Sequence, residues 1–270
     1  MLIRKMRSAL QDARRYGRFL GALPGFLRRR MSLDEAHAIF HDRMARRGDN
    51  FVAVARDAVF AHEHSPYKAL FEVAGCSFAD LERGVRADGL EPTLEALRDA
   101  GVYVTFQEFW ARKPIVRGGR EIPVRWSSFD NPLLDASFRM STGGSSGRAR
   151  PIDVDIAHLW ARVPEQIICD TIQGFTGAPT AIWFDGLPGN APGTLLTRVP
   201  TNNVPERWFT PTARRDARPL TNLQAQRYRF AEAGILATAR LNGVKLPRPE
   251  ALGLDQADVI ARWVGRTLAK

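Results

Sequence analysis

Residues 136–156 read Ala136-Ser-Phe-Arg-Met-Ser-Thr-Gly-Gly-Ser-Ser-Gly-Arg-Ala-Arg-Pro-Ile-Asp-Val-Asp-Ile156. Ala136, Phe138 and Met140 alternate with Ser137 and Arg139, and Ile152, Val154 and Ile156 alternate with Asp153 and Asp155. Period-two alternation on both sides predicts strand, loop, strand. The loop holds three glycines (Gly143, Gly144, Gly147) and four hydroxyl residues (Ser141, Thr142, Ser145, Ser146) ahead of Arg148 and Arg150. Glycine lets backbone N–H groups approach an anion, hydroxyls add donors, and arginine adds a forked cation matched to phosphate. The composition therefore reads as a grip on a polyphosphate.

The flanks exclude the commoner phosphate loops. A Walker-type loop continues as Gly-Lys-Ser/Thr into a helix, whereas Arg148 and Ala149 follow Gly147 here. The Gly-x-Gly-x-x-Gly spacing of a dinucleotide turn is absent as well. Gly143-Gly-Ser145-Ser-Gly147 fits the bare Gly-x-Ser-x-Gly pattern of a hydrolase nucleophile at Ser145, but that elbow needs a strand-to-helix turn. The remaining alternative is a flexible Gly/Ser linker.

This stretch resembles the phosphate-binding signature of the adenylate-forming superfamily (acyl- and aryl-coenzyme A synthetases, adenylation domains, firefly luciferase). Within it, the resemblance is to the branch of phenylacetate–coenzyme A ligase and the acyl-protein synthetase of bacterial luminescence. It implies that Ser141, Thr142, Gly143, Gly144, Ser145, Ser146 and Gly147 cradle the β- and γ-phosphates of ATP with Arg148 and Arg150, the latter at the family's Lys/Arg position. Ala149 replaces the usual proline. Asn50–Tyr67, with His64-Ser-Pro-Tyr67, and Gly101–Arg117 resemble segments that precede the loop in that branch. The implied activity joins a carboxylic acid to AMP with release of pyrophosphate, using ATP, Mg2+ and, as a candidate acceptor, coenzyme A. The family also uses an aromatic-Gly-x-Glu element, a ribose-binding aspartate and a lysine on a small C-terminal domain. No counterpart follows Arg150; Trp183-Phe-Asp-Gly186 has the residue types in the wrong order. The expectation is thus the N-terminal portion of such an enzyme, completed by a C-terminal half in trans, with no catalytic residue assigned.

The 270 residues are 44% hydrophobic and 25% charged, as in ordinary globular proteins. Cys76 and Cys169 lack metal or redox spacing and read as reduced thiols of a cytoplasmic chain. The net charge of +10 is concentrated: residues 1–30 carry +8 of it. There Ile3, Met6, Leu10, Ala13, Gly17 and Leu20 recur every three or four positions, predicting a basic amphipathic helix that ends near Gly21 and Pro24. Three roles fit this arm: a helix docked on the body, an interfacial helix on an anionic membrane that makes the protein peripheral to it, and non-specific contact with nucleic acid. No specific nucleic-acid partner is expected.

The expected fold is α/β, with a helical N-terminal region followed by a mixed sheet carrying the phosphate hairpin. The expected divisions are a basic helix at 1–30 and one incomplete domain at 31–270, helical to 100 and α/β beyond. Helices are predicted at 32–47 (capping box Ser32/Glu35), 50–64, 65–75, 78–85, 93–100, 157–173, 223–242 and 255–268. Strands are predicted at 102–106 and 180–184, with a hairpin through Gly118-Gly119. Six prolines between 185 and 222 predict loop and short strands. Trp208 and Phe209 within that segment are candidate walls of an acyl pocket, against the alternative of packed aromatic anchors. His37/His41 and His62/His64 are weak candidates for zinc, without the cysteines or glutamate of known motifs, and no metal site of the protein's own is expected.

Overall fold

The structure, a computed structural model, describes residues 2–134, 136–141, 150–211 and 222–268. In chain order the helices and strands are α1 (Leu2–Arg28), α2 (Leu33–Ala45), α3 (Arg47–Val54), α4 (Pro66–Val73), α5 (Phe78–Asp88), α6 (Leu90–Asp99), α7 (Phe106–Phe109), β1 (Ile115–Arg117), β2 (Arg120–Ile122), β3 (Ser137–Ser141), β4 (Pro151–Asp155), α8 (Ile156–Ala161), α9 (Val163–Ile172), β5 (Ala181–Trp183), α10 (Ala191–Arg198), β6 (Arg207–Thr210), α11 (Asn222–Leu241), β7 (Pro249–Ala251) and α12 (Ala257–Leu268). The fold is α/β, helix-rich with small sheets. Its contacts divide it at 39/40 and 134/135, not at 30/31: unit 1 is Met1–Ile39 with Asp135–Lys270, and unit 2 is Phe40–Leu134.

Unit 1 is organised by α1. Tyr16, Phe19, Leu20, Leu23, Phe26 and Leu27 fall on one helical stripe, and four of them (Phe19, Leu23, Phe26, Leu27) are completely buried with Phe138, Met140, Leu159, Leu196 and Ile235. The basic helix is therefore a docked core helix, and Leu10, from the predicted stripe, stands exposed. It also passes Pro24, where the sequence predicts its end. Proline removes one helical hydrogen bond, but Phe26 and Leu27 beyond it are buried, and that burial holds the last turn.

The 136–156 stretch forms the predicted antiparallel hairpin, with Phe138 opposite Val154 and Met140 opposite Ile152. Phe138 and Met140 face the core, and the Phe138 ring sits 4.8 Å from that of Phe19. Arg139 and Asp153 are cross-strand partners joined by two hydrogen bonds of 3.0 and 3.2 Å. Asp12 and Arg15 of α1 join them, each at 3.3 Å. Downstream, β5, β6 and β7 pair in parallel, in that order, with α10 and α11 in the crossovers. Parallel strands need such helical crossovers, and their buried Ile182, Trp208 and Phe209 follow from coverage of the sheet.

Unit 2 contains α3–α7 and the hairpin β1–β2, whose Gly118 and Gly119 both take positive φ, as a type I′ turn requires. The predicted strand at 102–106 is absent: Val102–Val104 is unpaired and Phe106 opens α7. The cause is a capping box, with the Glu108 carboxylate accepting from Thr105 N at 2.7 Å. The predicted helix at 157–173 is two helices, α8 and α9, with Pro164 in the first turn of α9. The 185–222 segment contains a full helix, α10, with Pro192 at its start, where proline is tolerated. Among the described residues no helix is long and apolar enough to cross a membrane.

Two tests follow from this packing. Leu23→Ala should destabilise the protein by about 2–5 kcal/mol in urea denaturation, the cost of a buried leucine, while Leu10→Ala stays within about 0.5 kcal/mol. Equal effects would contradict the docked helix. In unit 2, burial raises the Glu108 pKa, but the Arg117 guanidinium and the Thr105 cap outweigh it and hold the carboxyl at about 2, against an ordinary 4.5. Its ion pair therefore stabilises fully above pH 4.5 and loses that contribution as the pH falls toward 2. Glu108→Gln should cost about 3 kcal/mol at pH 7 and progressively less in that acidic window.

Candidate functional site

The end of β3 meets one end of the parallel sheet. The Ser141 N–H, the last of β3, donates to the carbonyl of Pro188 at 2.7 Å. Pro188 belongs to Asp185-Gly-Leu-Pro-Gly-Asn190, the turn that leaves the C-terminal end of β5 and opens α10. Of the sequence-predicted phosphate ligands, Ser141 and Arg150 are described: Ser141 ends β3 and Arg150 is buried where the chain returns toward β4. Thr142, Gly143, Gly144, Ser145, Ser146, Gly147 and Arg148 lie outside the described residues. A strand precedes and a strand follows this loop, so it does not have the strand-to-helix setting of a nucleophile elbow.

The Asp185–Asn190 turn is fixed from three directions. The ladder extends past β5, with Phe184 N donating to Phe209 O at 3.0 Å, and the Trp208 indole donates to Phe184 O at 2.8 Å. Thr210, at the C-terminal end of β6, donates from its hydroxyl to Asp185 at 3.4 Å. Buried Glu232 of α11 accepts from Leu187 N at 3.1 Å. A Cβ on Gly186 would overlap the Glu232 carboxylate and displace it from its place beside Leu187 N. A Cβ on Gly193, in the first turn of α10, would stand 3.1 Å from the Asn190 side chain and in ordinary contact with Met140 of β3. The arrangement gathers the end of β3, the carboxyl ends of β5 and β6, the start of α10 and two carboxylates, Asp185 and Glu232. In open parallel sheets ligands bind outside the carboxyl ends of the strands, and a helix start favours anions.

Trp208 and Phe209 are not walls of an acyl pocket. Their exposures are 0% and 1%. Trp208 packs with Ile182, Ala191 and Leu195, and Arg207 lies over the Phe209 ring at 4.5 Å. Both are anchors of β6, because a central parallel strand buries both of its faces. Among the described residues no group of three or more His, Cys, Asp or Glu is arranged to hold a metal, so the His37/His41 and His62/His64 pairs do not converge on one. Cys76 and Cys169 are free thiols. Asp185, Asn190, Thr210 and Glu232 were not legible as a group, since they come from three separate elements. The available signal was the run of turn formers directly after the predicted strand at 180–184.

Comparison of the chain with family models, with curated proteins and with solved structures finds no match. The site is therefore defined by its own geometry. Glu232→Ala should cost about 1 kcal/mol by removing the acceptor of the half-buried Leu187 N, and Gly186→Ala a comparable amount by displacing that carboxylate. Denaturation midpoints check both, and a Gly186→Ala variant as stable as the parent would contradict the close approach.

Proposed function

We propose that the chain binds ATP through the Ser141–Arg150 loop and serves as the N-terminal part of an adenylate-forming ligase. The observation that carries this reading is the hydrogen bond from Ser141 N to Pro188 O, which ties the root of a Gly/Ser/Arg loop to the carboxyl end of a parallel sheet. The donor set suits a polyphosphate: hydroxyls and glycine amides in the loop, and a buried arginine at its exit. In the proposed reaction a carboxylate oxygen attacks the α-phosphorus of ATP. The bond from that phosphorus to the bridging oxygen breaks, leaving an acyl-adenylate and pyrophosphate. Mg2+ arriving with ATP would supply charge neutralisation on the phosphates. The loop's part is to position the β- and γ-phosphates and stabilise the charge on the leaving pyrophosphate. Coenzyme A or a protein thiol would then accept the acyl group.

A second reading, a catalytically inactive module that binds nucleotide, a partner or a membrane without turnover, is favoured by exposed apolar side chains of unit 1. Ile172, Phe230 and Leu241 are each more than three-quarters exposed, as surfaces that meet a partner often are. Equilibrium binding of Mg-ATP to the full chain tests the nucleotide binding on which the first reading rests. Replacing Thr142, Ser145 and Ser146 together by alanine should weaken ATP binding at least about tenfold, since each lost hydrogen bond to a charged oxygen is worth about 1.5–3 kcal/mol. Unchanged binding would overturn the proposal. Pyrophosphate release from ATP with a panel of carboxylic acids then separates the two readings, because release overturns the inactive module.

A further inference from the structure

Unit 2 presents aromatic rings where a folded protein ordinarily hides them. Phe106 is 51% exposed, and Tyr103, Phe109 and Tyr67 are exposed as well. Most of the rings lie in two sets of contacts on neighbouring stretches of chain. Phe106 meets Trp110 at 5.7 Å and Trp110 meets Trp126 at 5.6 Å, while Phe109 meets Phe129 at 5.2 Å and Phe129 meets Tyr67 at 6.1 Å. Exposed Arg112 lies over Phe106 and Trp110, at 5.5 and 5.9 Å from their ring centres. Exposed Lys113 and Arg125 adjoin Arg112 and Trp126 in the chain. From Tyr103 to Phe129 there are five cations and two carboxylates; Arg117 and Glu108 are spent on one another and Arg120 pairs with Glu72 at 3.4 Å, which leaves Arg112, Lys113 and Arg125 beside the rings against Glu121, with Asp130 at the margin.

We propose that this aromatic ridge docks on an anionic lipid surface. Its charge calls for an anionic partner, and its apolar component calls for one that accepts rings as well as cations. Tryptophan, tyrosine and phenylalanine interleaved with arginine and lysine suit a bilayer interface, where rings enter the headgroup layer and cations stay with lipid phosphates. A strand of nucleic acid fits less well, because base stacking needs open ring faces. Here Trp126 meets Trp110 edge to face at 85°, and the Arg112 guanidinium lies over two of the rings. The surface is distinct from α1, whose apolar residues from Tyr16 to Leu27 pack in the core of unit 1. It also requires nothing of the ATP-binding reading.

The test is co-sedimentation of the full chain with vesicles of phosphatidylcholine alone or of equimolar phosphatidylcholine and phosphatidylglycerol. Binding should require phosphatidylglycerol. Phe106→Ala should lower it about tenfold, the scale set by losing one buried aromatic ring. Arg112→Ala with Lys113→Ala should lower it similarly. Arg83→Ala with Arg86→Ala, which removes equal charge from α5 of the same unit, should leave it nearly unchanged. Circular dichroism confirms that each variant is folded. Failure to bind the anionic vesicles overturns the proposal. So does binding that responds equally to both double variants and ignores Phe106→Ala, which would mark diffuse charge attraction. Binding of single-stranded oligonucleotide that depends on Phe106 while vesicles do not bind would assign the ridge to nucleic acid instead.

Discussion

The packing of α1 against the rest of unit 1 is the constraint on which the candidate site depends. Phe19 must reach Phe138, and Leu23, Phe26 and Leu27 must reach residues as distant in sequence as Ile235 and Val244. Until α1 is in place, the inner face of β3–β4 lacks the cover of Phe19 and its neighbours, and a two-stranded hairpin alone is at best marginally stable in water. Closing such distant contacts costs chain entropy before any burial is recovered, so unit 1 forms only as a whole. The strands that flank the glycine loop are thus held by an element more than a hundred residues upstream. The Arg139–Asp153 pair, reinforced by Asp12 and Arg15, ties the outer face of the hairpin to the same helix.

This dependence explains the charge of the N-terminal arm. A helix carrying a net +8 in its neighbourhood looks made for an anionic partner, yet its apolar stripe from Tyr16 to Leu27 is used inside the protein. The arginines are what remains on the outside, and two of its polar residues, Asp12 and Arg15, serve the hairpin. Charge identifies the solvent face of a helix but does not say what the other face touches.

The legible parts of the fold were those decided locally. Alternation gave away β3 and β4, Ser32/Glu35 capped α2, and Gly118-Gly119 turned the hairpin, because neighbouring residues determine each. The parts that misled depend on partners remote in sequence. Val102–Val104 has the apolar character of a strand but no neighbour to pair with. Helix α1 continues past Pro24 because Phe26 and Leu27 find a core there. Trp208 and Phe209 suggested a pocket because core anchors and pocket walls use the same residues, and only coverage by neighbouring elements separates them. The site was half legible on the same terms: its glycine loop is one continuous stretch, whereas Asp185, Thr210 and Glu232 meet only after β5, β6 and α11 have assembled.

Unit 2 shows the converse, a buried charge pair supporting an exposed apolar surface. Helix α7 has four residues, too short to persist by its own hydrogen bonds. It is held by the Thr105/Glu108 box, and Glu108 is fixed by two hydrogen bonds from Arg117, at 3.0 and 3.1 Å. Arg117 in turn donates to the carbonyls of Gly101 and Tyr103 and lies over the Tyr103 ring. An apolar pair could fill the same volume at no greater cost in stability, since the desolvation of a buried ion pair offsets much of its attraction. What an apolar pair could not do is fix the direction of α7 through several hydrogen bonds at once. That orientation turns Phe106 and Phe109 outward instead of letting them collapse into the core, and so the least hydrophobic contact in the unit determines where its most exposed rings stand.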